Sequence, residues 1–252
     1  MFINQNFFTL NKSQKGRIKK NIFSGFSTEI FQIVSQIFFA PLMILFWGVD
    51  NFGIWVFLLS IPNVLLVFNL NFTDAAIHEL TKFRVQKKYN KAQEIFQNSL
   101  VLVFINIVFF SFLAFFFYFF SQRDISILKD FNDKDLYLIL IFLVGSIYLN
   151  LFASIFTAVL HSYGKLHYGY NVSLFTDLFS KILIALSGLY FDTLVIASII
   201  FFIFTIIKFF LNFYYFLLYK NYLQLSFKFV NLKKILHLSK LSVGHTADIL
   251  TN

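Results

Sequence analysis

The chain has 252 residues, of which 58% are hydrophobic, 21% aromatic and 13% charged, and its formal net charge is +9. Soluble domains carry about 25% charged residues, so this composition excludes an ordinary soluble protein. Its charges cluster between apolar runs of about 20 residues or more, which indicates a membrane protein with several spans. The absence of cysteine excludes disulfides and thiol chemistry.

In chain order, a basic segment comes first and is followed by apolar runs. The first run is too long for the core of a signal peptide, so we interpret it as a membrane span. Runs of about 20 residues, each able to cross a hydrocarbon layer of about 30 Å, predict an all-α polytopic bundle of about six transmembrane helices. The predicted spans are residues 22–47, 52–71, 98–120, 136–160, 170–190 and 193–219.

The distribution of lysine and arginine predicts the topology. Sixteen of the 21 basic residues lie in the N-terminal segment, in residues 74–97, at Lys165 or in the tail after residue 219. The alternate connections hold three basic residues among several aspartates, or the single acids Asp50 and Asp192. The positive-inside rule therefore predicts a cytoplasmic N-terminus and tail in a multi-pass protein. Because the positive charges lie at membrane edges, the chain is not expected to bind nucleic acid.

The tail continues the pattern beyond the last span. Leu232, Ile235, Leu236 and Leu241 alternate with lysines, which predicts an amphipathic segment suited to the bilayer surface. Residues 241–252 would reach only about 18 Å as a helix, too short to cross. The expected organisation is a cytoplasmic basic N-terminus (1–21), a six-helix transmembrane lobe (22–219), a cytoplasmic amphipathic linker (220–240) and the truncated start of a seventh helix (241–252).

Polar side chains recur at helical spacing within four of the predicted spans. Such spacing places one polar stripe on each helix. For the neutral residues, hydrogen bonding between helices is an alternative to a binding role. The stripes are Glu29, Gln32 and Gln36; Asn150, Ser154, Thr157 and His161; Ser173, Asp177, Ser180 and Lys181; and Ser198, Thr205, Lys208 and Asn212.

The ionisable residues of these stripes are the candidate binding residues. A charge near mid-bilayer costs roughly 2.5 to 3.5 kcal/mol, so it normally faces a cavity or a partner. Glu29 and Asp177 lie roughly 10 Å deep, and Lys181 and Lys208 roughly 16 Å. We predict that both lysines face one cavity and bind substrate together with Asp177 and Glu29. Alternatively, Lys181 pairs with Asp177, four residues away, and Lys208 reaches Asn212.

Other features are less specific. Pro41 and Pro62 lie inside the first two spans and favour kinks, which can serve a gate or only packing. Asp133 and Asp135 imitate the acidic pair of metal-dependent glycosyltransferases, which leaves an enzyme as a rival interpretation. The sequence has no dinucleotide, P-loop, zinc-protease or hydrolase motif, and we predict no catalytic residue, cofactor or metal.

Three stretches of the chain have a distinctive pattern: residues 41–55, with Pro41 before a turn that contains Gly48 and Gly53, residues 69–82, and the turn at residues 160–165. These stretches resemble the O-antigen flippases, the polysaccharide-transport branch of the multidrug/oligosaccharidyl-lipid/polysaccharide exporter superfamily. Residues 69–82 resemble the family's passage from its second span into a basic cytoplasmic helix, with Asn71 where glycine is usual. The turn between the first two spans matches at Pro41, Gly48, Asp50, Phe52, Gly53, Ile54 and Trp55. The turn between the fourth and fifth spans matches at Leu160, His161, Ser162, Tyr163, Gly164 and Lys165.

The resemblance implies a flippase of the bacterial inner membrane without covalent chemistry. Its implied substrate is an undecaprenyl-diphosphate oligosaccharide, moved from the cytoplasmic to the outer leaflet. Implied partners are membrane lipids and other polysaccharide-assembly membrane proteins. Because such flippases have two lobes around a central cavity, this chain would supply one lobe and is not expected to transport alone.

Two rival functions stay open. A multidrug-type antiporter of the same superfamily would couple cations to export through Glu29 and Asp177. A membrane-bound glycosyltransferase or polymerase would instead use Asp133 and Asp135.

Overall fold

The computed structural model describes residues 12–120, 133–191, 193–220 and 222–251, and all regular secondary structure in these ranges is helical, as predicted. The predicted connection with Arg123, Lys129 and Asp130 lies outside the described residues, as do residues 1–11 and Asp192. The helices are α1 (Lys12–Val85), α2 (Tyr89–Phe120), α3 (Asp133–Ser162), α4 (Leu166–Ser187), α5 (Leu194–Tyr219) and α6 (Leu232–Thr251).

Helix α1 is bent double at Gly48. This residue has φ 79° and ψ 166°, a combination that is essentially restricted to glycine. The Asn21 side chain donates to the Gly164 carbonyl at 3.1 Å, and the Arg84 guanidinium lies over the Tyr163 ring at 5.0 Å. A straight helix would separate residues 21 and 84 by about 95 Å, so α1 must fold back on itself. We call residues 12–47 the first arm and residues 49–85 the second arm.

The bend accounts for the predicted turn between the first two apolar runs. Only Gly48 leaves helical backbone angles within α1, and these angles continue through Pro41 and Pro62. The second arm continues to Val85 without a break, and α2 begins at Tyr89, nine residues before the predicted third span. Polar helical turns therefore extend the apolar segments at this end of the molecule.

Four helical segments in the described part of the chain are long and apolar enough to cross a membrane. The first of them contains the bend at Gly48. Helix α4, which coincides with the predicted fifth span, is not among them, and its charged Asp177 and Lys181 lower its mean hydropathy. The four segments are Lys15–Ser60, Tyr89–Phe109, Lys134–Ser162 and Leu194–Tyr219.

The four basic segments lie together at one end of the bundle, which we call the basic end. The Asn21 and Arg84 contacts described above place both ends of α1 beside the turn between α3 and α4. The Lys165 ammonium lies over the Tyr219 ring at 5.1 Å, which brings the end of α5 to the same place. At the opposite end, the Trp47 indole donates to the Ile184 carbonyl at 3.0 Å.

His167 fastens the start of α4 to the first arm at the basic end. The Asn21 side-chain oxygen lies 2.8 Å from His167 Nδ1 and accepts the His167 backbone N–H at 3.1 Å. These two contacts join the first turn of α4 to the first arm.

Helix α3 lies at the centre of the bundle and packs mainly on α5 and α1. One core cluster near the basic end joins α2, α3 and α5, where the Phe156 ring meets those of Phe213 and Phe216 at 5.3 and 5.0 Å. Helix α4 comes close to α3 at Gly169, where an added Cβ would lie 2.7 Å from the Thr157 methyl carbon. Small residues at such crossings let membrane helices approach closely.

Helix α6 differs from the predicted surface segment. It continues through the predicted boundary at residues 240–241 as one helix. Ile235 and Leu238 are buried against α1 and α2, whereas Leu232 and Leu236 are exposed. Part of the apolar side predicted to face the bilayer therefore packs on protein. The domain boundaries themselves remain predictions.

Candidate functional site

A cavity of about 340 Å³ lies between the two arms of α1 and helices α3, α4 and α5. One or more residues of each predicted polar stripe line it, because residues three and four apart share a helix face. The predicted candidates Asp177, Lys181 and Lys208 are all among the lining residues. The polar lining residues are Thr28, Gln32, Ser35, Gln36, Asn150, Asp177, Ser180, Lys181, Thr205 and Lys208.

An ion pair connects α4 to α5 at this cavity. The Lys208 ammonium donates to both carboxylate oxygens of Asp177, at 3.1 and 3.3 Å. The alternative pairing of Asp177 with Lys181 is therefore not the one that forms. Nor does Lys208 use Asn212 as a partner for its ammonium, since the Asn212 side-chain oxygen makes no hydrogen bond within the described protein. The Asn212 amide group donates instead to the Lys208 backbone carbonyl at 2.9 Å.

Lys181 extends to α1 instead. Its ammonium donates to the Ser35 hydroxyl at 2.7 Å, and that hydroxyl donates to the Gln32 carbonyl at 2.9 Å. Among the described residues, Lys181 forms no salt bridge, whereas Lys208 does. Two ammonium groups and one carboxylate give the described lining a net positive charge, and Lys181 carries the unneutralised cation.

Two further hydrogen-bond donors at the cavity lack partners. The indole nitrogen of Trp55 and the hydroxyl of Ser180 are buried and make no hydrogen bond within the described protein. These residues are 1% and 5% exposed, and both line the cavity. An unsatisfied buried polar group costs about 1–3 kcal/mol, so these donors favour a polar occupant.

Sequence reasoning missed the role of Trp55, which it treated only as a residue of the family turn. A tryptophan is usually part of an apolar core, and Trp55 does also pack in one, edge-on against Phe201. Its place at the cavity depends on the bend at Gly48, which brings the second arm beside the first. Local spacing carries no signal for such a contact.

The remaining candidates lie elsewhere. Glu29 is exposed on the first arm and is not a lining residue. Ser154 of the fourth-span stripe bonds across helices, because the Thr73 hydroxyl donates to it at 3.1 Å. This contact is the interhelical hydrogen bonding that was the alternative for the neutral stripe residues. Asp133 and Asp135, the residues of the rival enzyme, belong to the first turn of α3.

A second polar cluster, which sequence reasoning did not find, lies at the basic end. Residues 222–231, which we call the strap, connect α5 to α6 without regular structure. Three buried amides of α2 bind its main chain, and we call Gln93, Gln97 and Asn98 the clamp. The only hint in the sequence was three amides on one helical face before an apolar run.

Each amide of the clamp satisfies backbone groups of the strap. Gln93 donates to the Gln224 carbonyl at 2.7 Å and accepts the Gln224 N–H at 2.8 Å. The other bonds run from Phe229 N–H to Gln97 at 2.9 Å, from Asn231 N–H to Asn98 at 2.8 Å and from Asn98 to the Phe229 carbonyl at 3.1 Å. Backbone groups of Gln224, Phe229 and Asn231, which lie outside regular structure, are thereby paired.

Comparisons with protein-family models, curated proteins and solved structures give no match to this chain. Its function is therefore argued from the cavity. Ammonium, indole N–H and hydroxyl donors together suit a ligand rich in negatively charged or polar oxygens.

Proposed function

We propose that this chain is part of a carrier that flips lipid-linked oligosaccharide from the cytoplasmic to the outer leaflet of the bacterial inner membrane. The observation that carries the proposal is a positively charged cavity inside a bundle of apolar helices. Ionisable residues within membrane spans usually mark substrate or ion pathways. The likeness of residues 41–55 and 160–165 to the O-antigen flippases supports the same function.

The proposal includes six membrane spans in this lobe. Four apolar segments provide its basis, and the bend at Gly48 divides the first of them into two arms. Helix α4 has 22 residues and is about 33 Å long, enough to cross the hydrocarbon layer. Clustering of the basic segments at one end supports a cytoplasmic location for that end.

The substrate would carry its diphosphate into the cavity, where Lys181 is the cation that forms no salt bridge among the described residues. A phosphate oxygen forms a charge-assisted hydrogen bond with an ammonium more strongly than a serine hydroxyl does. Lys208 would bind the second phosphate only on leaving Asp177. That carboxylate could then turn to Lys181, which follows it by one helical turn.

The same geometry favours a flippase over a cation antiporter. A coupling cation needs a carboxylate that is open to it, but Asp177 is already paired with Lys208. Glu29, the other acid proposed for such coupling, does not line the cavity. An anionic substrate fits the net positive charge of the lining.

The test expresses the whole gene that encodes this chain, with any coding sequence outside residues 1–252, in a flippase-deficient strain. Surface polysaccharide and the abundance of the protein in the membrane are measured. Lys181→Gln and Lys208→Gln are compared with Lys220→Gln, a change at the basic end away from the cavity. We expect both cavity variants to lose flipping at normal abundance, and Lys220→Gln to retain it. Normal flipping by both cavity variants, or failure only through poor insertion, would contradict the proposal.

A further inference from the structure

The strap presents an apolar and basic surface at the edge of the proposed membrane. Helix α5, a candidate membrane span, ends at Tyr219, and the strap begins three residues later. Phe227 is 75% exposed and Leu225 is 50% exposed, with Phe229 and Val230 partly exposed beside them. Exposed aromatic and aliphatic side chains at this level are typical of the membrane interface.

The charged residues of the chain segment that contains the strap are all of one sign. Residues 220–240 contain five lysines and neither aspartate nor glutamate. Lys228 and Lys233 are exposed among the apolar side chains, and the Lys228 ammonium lies 5.8 Å from the Phe229 ring centroid. Basic residues interleaved with apolar ones fit anionic lipid headgroups above acyl chains.

The clamp makes this surface a fixed one. The amides of the clamp form hydrogen bonds with the main chain of the strap on its protein-facing side. Leu223 of the strap is buried in the core cluster. The exposed side chains are thereby held outward in advance, so that little conformational entropy is lost when they bind a partner. An irregular segment without such bonds would have to be ordered on contact.

We propose that the strap is a docking surface for anionic phospholipid at the cytoplasmic face of the bilayer. The apolar side chains enter the headgroup and acyl boundary, and Lys228 and Lys233 bind the phosphates. The clamp holds the surface in place. The proposal does not depend on what the cavity transports.

Spin labels test this proposal, because the chain has no native cysteine. The full chain carrying Phe227→Cys is labelled with a nitroxide and placed in nanodiscs of phosphatidylcholine, with or without phosphatidylglycerol. Collision rates with oxygen and with a water-soluble nickel chelate report depth. Gln86→Cys, exposed in the connection after the second arm, is the matched control at the same end.

We expect the label at 227 to favour oxygen over the nickel chelate, and to shift deeper when phosphatidylglycerol is present. The label at 86 should favour the nickel chelate in both lipids. Lys228→Gln with Lys233→Gln should remove the shift with phosphatidylglycerol, and Asn98→Ala should increase the mobility of the label at 227.

Three outcomes would overturn the proposal. In the first, the labels at 227 and 86 collide equally often with the nickel chelate, which would show that the strap lies in water. In the second, the label at 227 is shielded from both reagents, which would show that protein covers the strap. Equal depth in both lipids would deny the preference for anionic headgroups.

Discussion

At the scale of the residue, one backbone torsion brings the two arms of α1 side by side. Gly48 occupies a region of φ and ψ that costs other residues about 1–3 kcal/mol. Since nothing lies within 4 Å of a Cβ built there, the penalty would be one of conformation and not of crowding. We expect Gly48→Ala to lower the unfolding free energy by this amount, measured by denaturation in detergent.

Gly53 is a matched control for that substitution. It follows the bend by five residues, lies in regular helix, and also has nothing within 4 Å of a built Cβ. Because alanine favours a helix over glycine by about 0.5–1 kcal/mol, Gly53→Ala should be neutral or stabilising. An equal loss of stability in both variants would mean that the torsion at Gly48 is not the cause.

Individual residues also mark the limit of what the sequence could predict at the cavity. Helical spacing assigned Asp177, Lys181 and Lys208 to the polar faces of their helices, and all three line one cavity. The partners differ, because Asp177 binds Lys208 on the neighbouring helix while Lys181 reaches Ser35 on α1. Spacing along one helix gives the face of a residue, but the rotation of two helices about their axes decides which side chains meet between them.

At the scale of the element, the contact of the second arm with α3 can be tested directly. The hydroxyl oxygens of Thr73 and Ser154 lie 3.1 Å apart. Cysteines at these positions bring their sulfurs close to the distance of a disulfide. We expect Thr73→Cys with Ser154→Cys to cross-link rapidly under mild oxidation, as a shift in mobility on denaturing gels.

The control for this pair keeps the cysteine at 73 and moves the other along α3. Ser146 lies eight residues before Ser154, about 12 Å along the helix axis. The pair of 73 and 146 should remain uncross-linked under the same conditions. Equal cross-linking of both pairs would indicate a second arm that slides on α3.

The ends of elements were predicted less well than their apolar centres. Apolar runs placed α3 and α5 closely, but α2 begins nine residues before its run, at Tyr89. Residues 89–97, which the predicted span did not include, contain Gln93 and Gln97, and their low hydropathy predicts exposure to water. These amides are buried because they bind the strap, a segment far along the chain. A hydropathy profile cannot predict such burial, because the hydrogen-bonding partner comes close only in the folded protein.

At the scale of the whole molecule, the basic segments meet at one end and predict its orientation. Lys88 lies at this basic end, whereas Tyr190 follows α4 at the opposite end and is 79% exposed. The positive-inside rule places Lys88 in the cytoplasm. We expect a membrane-impermeant maleimide, added to intact cells, to label Tyr190→Cys and not Lys88→Cys.

Permeabilised cells provide the control for this topology, since both cysteines should then react. Labelling of position 88 but not 190 in intact cells would reverse the orientation. Labelling of both would place both ends on the same side, and the helices would not span the membrane as proposed.

The clamp has a consequence for how the sequence of this protein can evolve. Gln93, Gln97 and Asn98 grip the main chain of the strap, which is the same whatever side chains the strap carries. Mutations at exposed strap positions such as Leu225 and Phe227 can therefore accumulate without weakening these bonds, provided that they avoid proline at the donor positions. Leu223, buried in the core cluster, and Ser226, whose hydroxyl accepts a hydrogen bond from Gln97, are more constrained. Selection for this architecture falls on three amides more than a hundred residues upstream. In a lineage of such proteins, the strap would drift to suit each host's lipids while the amides that hold it persist.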